Sequence, residues 1–148
     1  MGRTRDQVIW DFVQDWMRKA ESDLRAAEHL LNLEQEDYFT AAFHAQQAAE
    51  KFLKAFLVRH QILFGKTHDI RELLDLAGKP DAPLRRELAP AEMLTPFGVE
   101  FRYPGGQVAD LKTAQVAVAQ ARRLRAKVLE HLENYLKRAR PAFPGASE

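Results

Sequence analysis

Large apolar side chains return at steps of three and four residues in three separate runs, and this period constrains the fold more than any other feature of the chain. The first run begins at Ile9 and continues through Phe12, Val13, Trp16, Ala20, Leu24, Ala27 and Leu31, which predicts a long amphipathic helix over much of residues 5–33. "NLEQEDY" breaks the rhythm. Phe39, Ala42, Phe43, Ala49, Leu53, Phe56 and Leu57 restore it as a second helix ending near His60, packed antiparallel to the first. Val108, Leu111, Val118, Leu129, Leu132 and Leu136 predict a third long helix, from Ala109 to Lys137. A shorter helix sits in "THDIRELLDLAGKP", with Thr67 as its N-cap and Gly78 and Pro80 as its stop. Pro83, Pro90 and Pro96 divide the stretch that follows into short helical pieces and exclude strand there. Each apolar stripe needs another to cover it, so the reading is all-α, an up-and-down helical bundle with short additional helices. One domain spans 1–140, followed by a loose C-terminal tail over 141–148.

Composition narrows the setting. The 148 residues contain no cysteine, which excludes disulfides and thiolate metal sites. "MGRTRDQVIWDF" runs into charge rather than an apolar signal core, and no apolar run reaches the roughly 18 residues of a membrane span. A soluble, cytoplasmic protein without membrane contact is expected. The formal net charge of +1 is too small to make the whole molecule a polyanion binder. Its distribution is uneven, because Lys112, Arg122, Arg123, Arg125, Lys127, Lys137, Arg138 and Arg140 face only Glu130 and Glu133 in the last helix. That bias suits RNA, an acidic partner or a solvated face.

Polar residues on the apolar stripes are the candidate site. At about 100° per residue Asp23 lies close to Trp16 and inside the first stripe, and so requires a partner. On the second helix Gln46 falls between Ala42, Ala49 and Leu53, while Glu50 and Lys54 flank the stripe at i, i+4. On the last helix Arg125 projects between Val118, Leu129 and Leu132, where an unpaired guanidinium would be costly. A polar seam through the bundle, with Asp23 answering Arg125 or Arg102, resolves all of these. At "FRYPGG" the proline and glycines turn the chain, presenting Arg102 and Tyr103 at the corner as a planar cation and an aromatic face. Arg102, Tyr103, Asp23, Gln46, Lys54 and Arg125 are the expected binding residues. A purely structural ion-pair network is the competing reading.

"WMRKAESDLRAAEHLL", "AFHAQQAAEKFLKAFL", "KTHDIRELL" and "FRYPG" resemble the successive signatures of HEPN domains, the higher-eukaryote and prokaryote nucleotide-binding family. The resemblance implies a helical bundle and a homodimer. It further implies nucleotide or RNA binding and partnership with a small nucleotidyltransferase in a toxin-antitoxin-like module. Many relatives are metal-independent ribonucleases marked by an arginine, four to six residues, then a histidine. Arg102 stands where that arginine is expected, but no histidine follows it within reach.

The spacing recurs only at Arg125 and His131, whose side chains leave one helix about 120° apart. Metal-independent RNA cleavage needs a base for the 2′-hydroxyl and a cation for the phosphorane, tasks that His131 and Arg125 could share across a dimer axis. They are the weak catalytic candidates. His44, Gln47, Lys51 and Lys54 read as a solvated flank, and His68 as a capping or surface residue. No histidine pair has zinc-motif spacing and no glycine-rich loop carries a P-loop lysine, so neither a metal nor a cofactor is expected. Three functions stay open: a binding partner of a nucleotidyltransferase, an endoribonuclease, and a non-catalytic dimerising scaffold.

Overall fold

The fold is described from a computed structural model, covering residues 2–98, 108–138 and 140–142. It contains α1 (Arg5–Leu31), α2 (Phe39–Arg59), α3 (Ile70–Ala77), α4 (Ala82–Glu87), a 3-10 segment over Ala89–Phe97, and α5 (Leu111–Lys137). Among the described residues there is no strand. α2 is the central rod, packed against α1 and α5 and capped by α3 and the 3-10 segment. Asp23 of α1 meets His44 and Lys51 of α2, and Trp16 meets Lys54, so α1 and α2 run antiparallel.

Alanine decides how closely these helices approach. Ala20 and Ala27 of α1, Ala41, Ala42, Ala45, Ala48, Ala49 and Ala55 of α2, and Ala114, Ala117 and Ala121 of α5 are fully buried. Small side chains bring helix axes together, and Phe52, Leu53, Phe56 and Leu57 fill the remaining space. The buried stripe of α1 is Val13, Met17, Ala20, Leu24 and Ala27, not one centred on Ile9. Phe12, expected inside, is 50% exposed, and Ile9 and Trp16 lie at the edge. The α5 stripe is displaced in the same way. Its core is Ala114, Ala117, Val118, Ala121, Leu124, Val128 and Leu132, whereas Val108 (64% exposed) and Leu111 face water. A stripe drawn from large side chains alone misses the alanines that define the true contact line.

Caps fix the helix starts. Thr4 and Gln7 form a reciprocal capping box on α1, at 3.1 and 3.0 Å. α3 is capped by Asp69, whose Oδ1 accepts from Arg71 N at 2.9 Å. Thr67, expected as this cap, instead accepts from Asp69 N and donates to Glu72, because the helix begins two residues later than its threonine suggested. Asp81 caps α4 and Asp110 caps α5, each accepting from the backbone three residues on. Asp37 joins the α2 start to the α5 lead-in by accepting from both Phe39 N and Ala109 N. At the other end, Gln7 Nε2 donates to the Pro141 carbonyl at 2.7 Å, and Arg140 forks onto Asp11 at 2.8 and 2.9 Å.

Phe52→Ala and Phe56→Ala should each lower the unfolding free energy by about 3–5 kcal/mol in urea titrations. Leu63→Ala, at a side chain 93% exposed, should change it by less than about 0.5 kcal/mol.

Candidate functional site

One face of α2 carries Gln46, Glu50 and Lys54 at successive steps of four, all buried. Burial without partners would be prohibitive for two opposite charges and an amide, and each is answered. Gln46 Nε2 donates to the His68 carbonyl at 3.0 Å, and Gln47 Nε2 donates to Gln46 Oε1 at 2.7 Å. His68 Nδ1 donates to Glu50 Oε1 at 2.7 Å, while Lys54 Nζ stands 3.5 Å from Glu50 Oε2. Lys54 also lies over the rings of Trp16 and Phe64, 5.4 and 5.7 Å from their centroids. A Cβ added at Gly98 would come within 3.0 Å of Gln46 Nε2, so the end of the 3-10 segment closes directly onto this seam. The exposed loop before α3 is thereby held at two points by buried polar side chains.

Asp23 extends the seam toward the start of α2. His44 Nδ1 donates to its Oδ1 at 3.0 Å and Lys51 Nζ binds its Oδ2. Asp23 therefore does not answer Arg125, which is held by Glu21, and the alternative partner Arg102 lies outside the described residues. Measured from Val13, the middle of the true stripe, it is turned by about 80°, toward α2 and away from α5; its side chain keeps 15% of its exposure. His44, Lys51 and Lys54 form part of this network, so the flank read as solvated is mostly enclosed. His68, expected to cap or to make surface contacts, instead pairs with the buried Glu50, and the cap belongs to Asp69.

Arg125 points elsewhere. Its side chain is 40% exposed, not buried among leucines, and its Nε donates to Glu21 Oε1 of α1 at 2.6 Å. With Leu24, Arg25, Glu28 and Arg122 these two line a cleft of about 470 Å³ between α1 and α5. Arg122 Nε donates to Glu28 Oε1 at 3.2 Å, and Arg25 has no ion pair among the described residues. Part of the basic excess of the last third is answered from other elements: Glu21 and Glu28 of α1 for Arg125 and Arg122, Glu87 of α4 for Lys127, and Asp11 for Arg140. That compensation is invisible when the last third is counted by itself.

His131 lies on another side of α5. Its Nε2 is 3.3 Å from Asp81 Oδ2 at the start of α4, and its ring stands edge-on to Phe56 at 5.9 Å. Arg125 and His131 are thus committed to carboxylates on different elements and do not meet. His60 stacks on Phe56 at 4.3 Å, where loss of water and the nearby Arg59 and His131 push its imidazole below the usual value of 6.5. Among the described residues no three His, Asp or Glu side chains gather as a metal site. Arg102 and Tyr103 lie outside the described residues.

The HEPN domain profile matches residues 13–132, a span containing α1 from Val13, the whole seam and α5 as far as Leu132. The chain belongs to the HEPN family. It is similar to TT1696 from Thermus thermophilus, at 35% identity over 80% of this chain and 96% of that one, with a TM-score of 0.63. It is also similar to ST0689, an archaeal HEPN homologue, at 26% identity over 81% and 97% of the two chains, with a TM-score of 0.64. No curated protein matches the sequence. No helix among the described residues of this HEPN protein is long and apolar enough to cross a membrane.

Glu50→Ala strands the buried Lys54 ammonium and should lower stability by about 3–5 kcal/mol in chemical denaturation. Glu21→Ala breaks only the half-exposed pair with Arg125 and should cost no more than about 1 kcal/mol. Because the folded chain holds His60 below its unfolded value of 6.5, the unfolded chain takes up this proton first as pH falls. Stability should therefore decline as pH drops through 6.5 and recover above it, and thermal melts of His60→Gln should show a shallower decline.

Proposed function

We propose that this HEPN protein is a binding module rather than a ribonuclease: a homodimer that pairs with a small nucleotidyltransferase and engages the phosphates of a nucleotide or RNA. The observation that carries the choice is the separation of the only arginine–histidine pair with the family's spacing. Arg125 is held by Glu21 on α1 and His131 by Asp81 ahead of α4. An imidazole and a guanidinium that leave α5 about 120° apart, one toward α4 and the other toward α1, cannot act on one phosphodiester within a protomer.

The phosphate contact is assigned to the α1–α5 cleft, through Arg25, Arg122 and Arg125. Exposed ion pairs contribute about 0–1 kcal/mol, so Arg122 and Arg125 can exchange their glutamates for phosphate at little cost. A planar guanidinium can then bind the phosphate with two parallel hydrogen bonds. Asp23, Gln46 and Lys54 serve this module differently, as a frame. Their partners are buried or enclosed, and surrendering them to a ligand would leave charges stranded. Arg102 and Tyr103, outside the described residues, are proposed as further binding residues from the sequence alone.

Purified protein incubated with single-stranded RNA in EDTA should leave it intact, while fluorescence anisotropy detects saturable binding of labelled nucleotide or RNA. Arg125→Ala should weaken that binding by about tenfold or more, as expected for loss of a charge-assisted contact. His131→Ala should leave it unchanged. Cleavage that disappears in His131→Ala would reverse the assignment, and the absence of co-purification with a co-expressed nucleotidyltransferase would remove the partner.

A further inference from the structure

Two depressions at the end of the bundle remote from the arginine cleft share Ile9 and Gln61, and so form one groove. The first half, about 320 Å³, is lined by Ile9, Val58, Ile62, Leu63 and Phe64 with Arg5 at its edge. The second, about 230 Å³, is lined by Asp6, Arg59, Tyr135, Arg138 and Pro141. One half is therefore oily and the other cationic. Gln61 takes up φ 55°, turning the chain out of α2 so that Ile62, Leu63 and Phe64 follow along the rim. Leu63 is 93% exposed, an expensive placement for a leucine unless something covers it.

The charges make the surface specific. Arg5, Arg59 and Arg138 have no ion pair among the described residues, although neighbouring Arg3 and Arg140 are both bound to Asp11. Arg59 lies over Tyr135, its Cζ 4.3 Å from the ring centroid, and both side chains line the groove. Against these three arginines the described lining of the groove offers one carboxylate, Asp6. The α1–α5 cleft uses none of the groove residues, and of the seam only Phe64, which covers Lys54, also lines the groove.

We infer that this groove is a docking site for an acidic peptide segment of a partner protein, one in which a large apolar side chain stands next to two or more carboxylates. The apolar side chain fills the Ile9–Ile62–Phe64 half beneath Leu63, and the carboxylates pair with Arg59 and Arg138. Charge complementarity selects this occupant. A second copy of the same surface would set arginines against arginines, and bare RNA would leave the apolar half uncovered. A flat anionic membrane would not reach the recessed side chains and would meet Asp6. The inference is independent of the phosphate-binding reading, because the two sites share no residue.

The test uses the full chain on an array of peptides about ten residues long, permuting one Trp or Leu with runs of Glu, Asp, Gln and Ser. Peptides that place the apolar residue within two or three positions of paired carboxylates should be enriched, and solution anisotropy should then give their affinities. Leu63→Asp and Arg138→Glu should each weaken binding by about tenfold or more. Both positions are exposed, so folding is retained, and circular dichroism checks it. Arg123→Glu, an equal change of net charge elsewhere on α5, should have little effect. The inference fails if no such peptide is enriched, if Arg123→Glu weakens binding as much as Arg138→Glu, or if glutamate-only peptides bind equally. It also fails if RNA or phosphatidylglycerol vesicles bind there in preference, as shown by loss of their binding in Leu63→Asp. Loss of nucleotide binding in Arg125→Ala with peptide binding intact would confirm two separate sites.

Discussion

α2 is enclosed by other elements along most of its length, and that enclosure governs the molecule. A helix buried on nearly all sides would ordinarily be apolar throughout, yet this one carries Gln46, Glu50 and Lys54 in its buried face. Each can stay only because a neighbour supplies its partner: the His68 carbonyl, the His68 imidazole and the carboxylate one turn away. The loop before α3 is therefore positioned by electrostatics and not by apolar packing alone. Trp16 and Phe64 then close over the Lys54 ammonium, linking α1 and the α2–α3 connection through a single cation. Replacing these groups with hydrocarbon could keep the fold. It would lose the specific placement of the loop.

The sequence carried the helices clearly because a period of three to four residues survives any error about individual side chains. Bounds for α1, α2 and α5 fall within a few residues of those expected, since capping residues and breakers mark them chemically. The phase of each helix was less legible. Ile9, Phe12 and Trp16 are large and drew the apparent stripe toward themselves, while Val13, Met17 and Ala20 form the real one. That phase error of about 40° propagated directly into the site. It placed Asp23 opposite Arg125, whereas Asp23 faces α2 and Glu21, two residues earlier, faces α5. The Glu50–Lys54 pair was legible because i, i+4 proximity is local and independent of tertiary phase. His68 against Glu50 was not, because nothing in one sequence says which loop returns to which turn of a helix.

Burial separates ion pairs that can be traded from those that cannot. Arg125–Glu21 and Arg122–Glu28 lie in a cleft open to solvent, where breaking the pair returns both ions to water. Glu50–Lys54 lies where neither ion could be rehydrated without opening the bundle. Charge alone would rank both sets equally as ligand contacts. Desolvation assigns them opposite roles, one as exchangeable surface and the other as fixed frame.

α1 touches both proposed surfaces, with Glu21 to Glu28 in the arginine cleft and Arg5 to Ile9 in the groove. At 1.5 Å per residue their centres are about 25 Å apart, so the two sites share no side chain through which one ligand could touch the other's contacts. α1 contains neither proline nor glycine between Arg5 and Leu31, and it is tied to α2 through Asp23 and to the end of the chain through Gln7 and Asp11. A rod fixed at these points transmits displacement only as a whole. Coupling between the sites would therefore require the seam itself to shift, and its buried pairs make that the most costly movement available. The architecture favours simultaneous and energetically independent occupation, the property expected of a connector that holds a phosphate-bearing ligand at one end and a protein partner at the other.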